Sequence, residues 1–301
     1  MMTTADERLG HPPVDLLWIL AHPDDESFGS AGTMAWASER GYRIAYICAT
    51  RGEAGEIRDP QLATPDTLGA VREQELRVAM SHVGLSELRI LGFRDSGMEN
   101  SEDNNHPLAL IQQPPESILT HLVGHIRDLR PTTVITFGPE GVYGHPDHIM
   151  IGKIAARAVE LATDPTWHPS LYTPWETTSL YFTAAPRERM LELAEHPDNP
   201  LGDISEHARQ NLGTPAAKIT HWLNVTPWLE TKIRALAAHR TQVTGRDLIA
   251  PDPASEDARR LAYEQYTRQP LPWDPGCERD DVLTLARNEI GSATPPVGAL
   301  P

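Results

Sequence analysis

Val14-Asp15-Leu16-Leu17-Trp18-Ile19-Leu20-Ala21-His22-Pro23-Asp24-Asp25-Glu26 decides how this chain folds. Val14 to Ala21 is apolar at nearly every position, as a strand must be when helices cover both faces of its sheet. The run ends in an imidazole and three carboxylates, so a strand of the core delivers polar groups to one edge. Outward from it the same alternation repeats. A helix-compatible stretch from Ser27 to Arg40 leads to a second strand, Arg43 to Thr50. A helix over Asp66 to Val83 leads to a third, Glu87 to Gly92. Glu116 to Leu129 then reads as a helix, Thr132 to Gly138 as a fourth strand, and Asp147 to Leu161 as a helix again. Such alternation is the signature of an α/β fold with a parallel sheet covered by helices.

Past residue 162 the pattern thins. Thr177 to Ala184 and Lys218 to Val225 read as strands, and Pro227 to Arg240 as a helix with Thr226 as its N-cap. Proline-rich stretches at 165–174 and 251–253 read as surface loops, and the residues from Gly291 as a loose tail. Residues 1–245 are expected to form one domain, with 246–301 a C-terminal helical extension and tail of the same unit. The polar segment between Asn100 and Pro115 is long enough to line a substrate-facing rim.

Composition removes several functions. Lys and Arg total 26 against 42 Asp and Glu, a net charge of −16, which repels nucleic acid and anionic lipid. Two cysteines, Cys48 and Cys277, cannot build a disulfide framework or a thiolate metal cage. Met1 to Gly10 lacks the basic start and apolar run of a secretory signal, and no apolar run reaches the roughly 20 residues of a membrane helix. A cytoplasmic location without membrane attachment is the expectation, and the oligomeric state is left open to include a homo-oligomer. With 27 prolines and 21 glycines the chain has many loops, but 40% hydrophobic residues exclude disorder.

In an open parallel sheet, ligands sit beyond the carboxyl ends of the strands. Ala21-His22-Pro23-Asp24-Asp25-Glu26 lies there after the first strand, and Gly141-Val142-Tyr143-Gly144-His145-Pro146-Asp147-His148 after the fourth. Two histidines and a carboxylate suit a catalytic zinc, because three protein ligands leave a position for water. The spacing suggests His22 and Asp25 as one clamp and His148 as the third ligand. Asp24 is then free to take a proton from the activated water, and His145 to stabilise an oxyanion and protonate a departing amine. A lone His-Pro-Asp is simply a good turn. His196-Pro197-Asp198 repeats the tripeptide without flanking ligands and is read as structural. His121 and His125 share a helix face, but they have no third partner and read as solvated. The glycines form neither a dinucleotide nor a phosphate-loop fingerprint.

The two motifs, with Thr-Arg-Gly-Glu-Ala-Gly-Glu at 50–56, Arg-Glu-Gln-Glu at 72–75, Gly-Phe-Arg-Asp-Ser-Gly-Met at 92–98 and Ala-His-Arg-Thr-Gln at 238–242, resemble the PIG-L/LmbE-like N-acetylglucosaminyl deacetylase family. The likeness runs from about 14 to 160 and is thinner to about 245. It implies a Rossmann-like three-layer sandwich and zinc on His22, Asp25 and His148, with Asp24 as general base and His145 as acid or oxyanion stabiliser. It further implies that Tyr143 polarises the scissile carbonyl, and that Arg72, Asp95 and one of Glu53 or Glu56 contact sugar hydroxyls. His239 matches a recurrent feature of the family and is assigned to packing.

The reading is therefore a zinc-dependent hydrolase that removes an N-acetyl group from a small amino-sugar compound. Other divalent ions such as Fe2+ fit the same donors. Three alternatives stand beside it: an amidase cleaving a larger acyl group, as in mycothiol-conjugate amidases; a non-haem iron oxygenase; and a metal-stabilised binding protein. Asp24 and His145, both suited to proton transfer, argue against the last.

Overall fold

The computed structural model describes residues 12–195, 205–243, 261–274 and 280–291. The expected loop at 251–253, the tail beyond Gly291, the turn at 196–198 and the N-terminal ten residues lie outside this range. Seven strands form one sheet: β1 Leu16–Leu20, β2 Ile44–Thr50, β3 Glu87–Phe93, β4 Thr133–Phe137, β5 Ser179–Ala184, β6 His221–Asn224 and β7 Tyr263–Gln269. Their order is β3-β2-β1-β4-β5-β7-β6. The first five are parallel, while β7 runs antiparallel to both β5 and β6. Every residue of β1, β2 and β4 is buried, which is why apolar and β-branched residues dominate their sequences without a polar alternation. β3, at the sheet edge, is only partly covered.

The connecting helices are α1 Asp25–Gly29, α2 Ala31–Glu39, α3 Leu68–Val83, α4 Pro115–Leu129, α5 Gly141–Gly144, α6 Pro146–Ala162, α7 Arg187–Glu195, α8 Glu206–Gln210, α9 Leu229–Ala238 and α10 Val282–Ile290. α4 and α6 pack together against one face, and α2, α3 and α9 together against the other. Because β2 and β3 lie on one side of β1 and β4 on the other, the winding reverses between β1 and β4. A crevice opens at such a reversal, at the carboxyl ends of the two strands. Among the described residues, no helix is long and apolar enough to cross a membrane.

Three expectations change. The helix read over Ser27 to Arg40 is two helices broken at Ser30, whose φ is −147°. The break turns the Gly32 and Thr33 amides, 2.9 and 2.8 Å away, onto the buried Glu264 carboxylate, a partner no local pattern reveals. Thr226 does not cap α9. It opens a short 3-10 turn, Thr226–Trp228, and its hydroxyl donates to Asn224 Oδ1 at 2.6 Å. The segment past 245, expected to be helical, supplies the inner strand β7 as well as α10. β7 was hidden because two of its buried residues, Glu264 and Tyr266, are polar and break the apolar alternation.

Candidate metal centre

Immediately after β1 the chain makes a tight turn. The amides of Ala21 and His22 donate to Asp25 Oδ2 at 3.2 and 2.7 Å, folding Asp25 back over the strand end. Asp24, between them, has φ 122°, a conformation that L-residues rarely adopt. Its amide donates to Glu26 Oε2 at 3.1 Å. After β4 a second strained turn carries Val142 at φ 65°, although β-branched residues avoid positive φ. α6 then starts with Pro146, and His145 at its N-cap accepts the Asp147 amide on Nδ1 at 3.1 Å. His148, one residue on, stacks flat on Phe137 of β4 with ring centroids 4.0 Å apart.

The two turns meet. His22 Nδ1 lies 3.1 Å from His148 Nε2, Asp25 Oδ1 lies 3.2 Å from His148 Nε2, and Asp25 Oδ2 lies 3.7 Å from His22 Nδ1. The far nitrogen of each imidazole faces an acceptor. His22 Nε2 is 3.2 Å from Asp147 Oδ2 and 3.4 Å from Asp95 Oδ1, and His148 Nδ1 is 3.2 Å from the Gly141 carbonyl. That arrangement fixes the tautomers so that the near nitrogens present lone pairs to one point. His145 also reaches this cluster, within 4.8 Å of the donor atoms of His22 and His148. Its Nδ1 is taken by the Asp147 amide, which leaves it less well placed than Asp25 to complete a ligand set.

Charge gives the test of fit for a cation. Asp24, Asp25, Asp95 and Asp147 crowd around His22, His145, His148 and one guanidinium, Arg72, and Asp147 Oδ1 is buried with no hydrogen-bond partner. Buried anions without matching cations are costly, so a divalent ion held by oxygen and nitrogen donors fits this centre. Burial disfavours a charge on His22, yet Asp95, Asp147 and Asp25 outweigh it and raise its pKa well above the ordinary value. The same carboxylates that retain that proton would retain a metal ion in its place. For Asp25, burial is overcome by His148 and His22, which hold the carboxyl below the usual range. Asp24 goes the other way: burial, then Asp25 and Glu26, push it up to about 6 against the pull of Arg72. Burial and the neighbouring His22 and His148 depress His145, so its ring is neutral with the proton on Nε2.

Around this core lie the other residues singled out by sequence. Tyr143 meets His148 edge-on at 5.1 Å. Asp95, at the end of β3, receives the amides of Gly97 and Ala54, and its own amide donates to Glu53 Oε2 at 3.0 Å. Arg72, from α3, is buried and spends its donors inward, on Asp24 Oδ2 at 3.0 Å, Pro23 O at 2.6 Å and Gly52 O at 2.8 Å. A Cβ at Gly52 would sit 2.2 Å from Arg72 Nη1, which accounts for the glycine in the motif at 50–56. Glu56 is exposed and stands apart. Beside Glu53 a hollow of about 350 Å³ is lined by Phe93, Arg94, His106, Leu108 and Gln113. Asp147 and Glu26 were missed as functional residues. Asp147 stands between the two histidines but reads in sequence only as the first residue of a helix, and Glu26 only as a third carboxylate.

This geometry defines an α/β protein with a buried His/Asp centre, suited to a divalent cation, at the reversal of its sheet. Residues 17–159 match the PIG-L family, described as GlcNAc-PI de-N-acetylase. A 1D-myo-inositol 2-acetamido-2-deoxy-alpha-D-glucopyranoside deacetylase of Streptomyces avermitilis is 36% identical over 259 residues, covering 77% of this chain and 84% of that one. The chain therefore belongs to the PIG-L family. Among solved structures, N,N'-diacetylchitobiose deacetylase from Pyrococcus horikoshii superposes with a TM-score of 0.59 at 18% identity, covering 90% of this chain and 94% of that one. GalB, the 4-carboxy-2-hydroxymuconate hydratase from Pseudomonas putida, superposes at 0.54 and 16%, covering 88% and 100%. Fold alone thus does not select the reaction.

Proposed function

We propose that this chain is a zinc-dependent N-deacetylase whose substrate is an N-acetylglucosamine joined to a small polyol. The observation that carries this reading is the convergence of His22 Nδ1, Asp25 and His148 Nε2 on one point, with each imidazole's other nitrogen held by an acceptor. These three would hold the ion. A divalent ion so placed supplies an acidified water and a polarised acyl oxygen.

The remaining work falls to side chains. Asp24, raised to about 6 and bonded by Arg72, takes one proton from the attacking water. Tyr143 keeps its proton, because burial and the nearby carboxylates raise its pKa well above the ordinary value, and it donates to the acyl oxygen. The C–N bond breaks, and the nitrogen takes the proton that Asp24 removed from the water while neutral His145 hydrogen-bonds the oxyanion through Nε2. Acetate leaves with the amine, which also carries off the second water proton. Asp95 and Glu53 face the sugar hydroxyls, and the hollow beyond Glu53 takes the polyol. The identity to inositol-linked N-acetylglucosamine deacetylases supports this class of substrate.

The test is acetate release from an N-acetylglucosaminyl inositol by zinc-loaded protein, run beside Asp24→Asn. That variant should keep its zinc, read by elemental analysis, and lose turnover by roughly 10² to 10⁴-fold. Loss of zinc would mean that Asp24, rather than Asp25, is the ligand. Cleavage confined to longer acyl groups would favour the amidase reading.

A further inference from the structure

The Ala-His-Arg-Thr-Gln stretch at 238–242 ends α9 behind the centre, with His239 and Thr241 fully buried. His239 Nε2 lies 2.8 Å from Glu26 Oε1, and the second oxygen of Glu26 accepts the Asp24 amide at 3.1 Å. Two residues further, Thr241 donates its amide and its hydroxyl to the two oxygens of Glu75, at 2.8 and 2.7 Å. Glu75 stands one turn along α3 from Arg72, which donates to the Asp24 carboxylate. Gln242 Nε2 closes the bracket on the Glu56 carbonyl at 3.0 Å. One short turn thus reaches the Asp24 amide through Glu26, and separately clamps Glu75 on the helix from which Arg72 bonds the Asp24 carboxylate.

Such a bracket has a purpose at this residue. Asp24 and Asp25 are adjacent, and in relaxed backbone nothing would prevent both carboxylates from turning to the same cation. Asp24 instead sits at φ 122°, a conformation that persists only where the surroundings over-determine it. The Glu26 carboxylate, receiving Asp24 N, Ser27 Oγ and His239 Nε2, holds the amide of this peptide, while Arg72 bonds its carbonyl, Pro23 O. Packing of α9 alone would require an apolar side chain at 239, not a buried imidazole aimed at a buried carboxylate.

We propose that His239 is a positioning residue: through Glu26 it locks the Asp24 peptide in its left-handed conformation, while Thr241, by clamping Glu75, steadies the turn of α3 from which Arg72 reaches the Asp24 carboxylate. The proposal rests on Asp24 being the general base. Three full-length variants test it with zinc content, kcat and KM, and crystal structures. His239→Leu fills the site without a donor. It should lower kcat roughly 10- to 100-fold, with KM within about twofold and zinc content unchanged. His239→Gln, whose amide can donate to Glu26, should recover most of that loss, and Thr241→Val should show a smaller fall of the same kind. In the His239→Leu crystal structure Asp24 should leave the positive-φ region. Unchanged kcat in His239→Leu, equal losses in the Leu and Gln variants, or Asp24 still at its native φ would each overturn the proposal. Should His239→Leu fail to fold, Thr241→Val decides the matter, because native kcat in that variant overturns it. If the native protein releases no acetate the deacetylase reading falls, while the crystal structures still judge the bracket.

Discussion

At the scale of single residues, the centre separates neighbours that share a chemistry. Asp24 and Asp25 differ in backbone and partners, so one carboxyl is pushed up and the other held down. Asp147 receives the Ser96 amide at 2.9 Å and faces His22 Nε2 with the same oxygen. An outer carboxylate on a ligating imidazole typically carries 10–100-fold of metal affinity. Asp147→Asn should therefore weaken zinc binding by about that factor in a chelator competition; native affinity would remove Asp147 from this role. That the turns carrying His22, Asp25 and His148 would meet was legible in sequence because strand ends concentrate chemistry, whereas the contact of Asp147 with His22 was not, because it depends on which way a side chain leaves the first turn of α6. A second titrating group sits outside the centre. Burial, then Arg89, lowers His125 from its ordinary 6.5 to about 4. Between those values the unfolded chain binds a proton that the folded chain refuses, so stability falls as pH drops from about 6.5 toward 4. Urea midpoints at pH 7 and pH 5 should lie closer together in His125→Gln than in the native protein, and an equal gap would discount His125.

At the scale of elements, α6 is the part that converts packing into chemistry. Its first turn carries His145, Asp147 and His148, and Gly152, one turn further, lies directly on β4: a Cβ there would sit 2.5 Å from the Phe137 carbonyl oxygen. Gly152→Ala must push α6 off the sheet, at a cost of about 1–3 kcal/mol. Because the ligand-bearing turn moves with it, zinc affinity should fall along with the melting temperature. A lower melting temperature with native affinity would show that the two are uncoupled. α6 itself was readable from sequence, as were α3, α4 and the fully buried β1, β2 and β4, because the helices carry an apolar period and the strands are short apolar-rich runs between them. The α1–α2 break and the turn before α9 were not, since each is set by a side chain that local spacing does not register: Glu264 in one case, Asn224 in the other.

At the scale of the whole molecule, the question is where the folding unit ends. Read from sequence, 1–245 holds the domain, and every candidate ligand does lie within it. Yet β7 is flanked by β5 and β6, so the sheet closes only with residues past 245. Glu264 of β7 is fully enclosed, bonded to Lys232 Nζ at 2.7 Å, to the Gly32 and Thr33 amides and to the Thr33 hydroxyl. Lys232 is 1% exposed, and removing its partner strands a buried ammonium, a change that typically costs 3–5 kcal/mol. The first amides of α2 would lose their acceptor too, and β6 would lose its neighbour in the sheet. Set against a total stability of about 5–15 kcal/mol, these losses leave little. A chain ending at residue 245 should accordingly show no cooperative thermal transition by circular dichroism and bind no stoichiometric zinc, despite carrying His22, Asp25 and His148 intact. A sharp melt with one zinc bound would place the boundary where the apolar pattern fades, and would make β7 an addition to a core already complete.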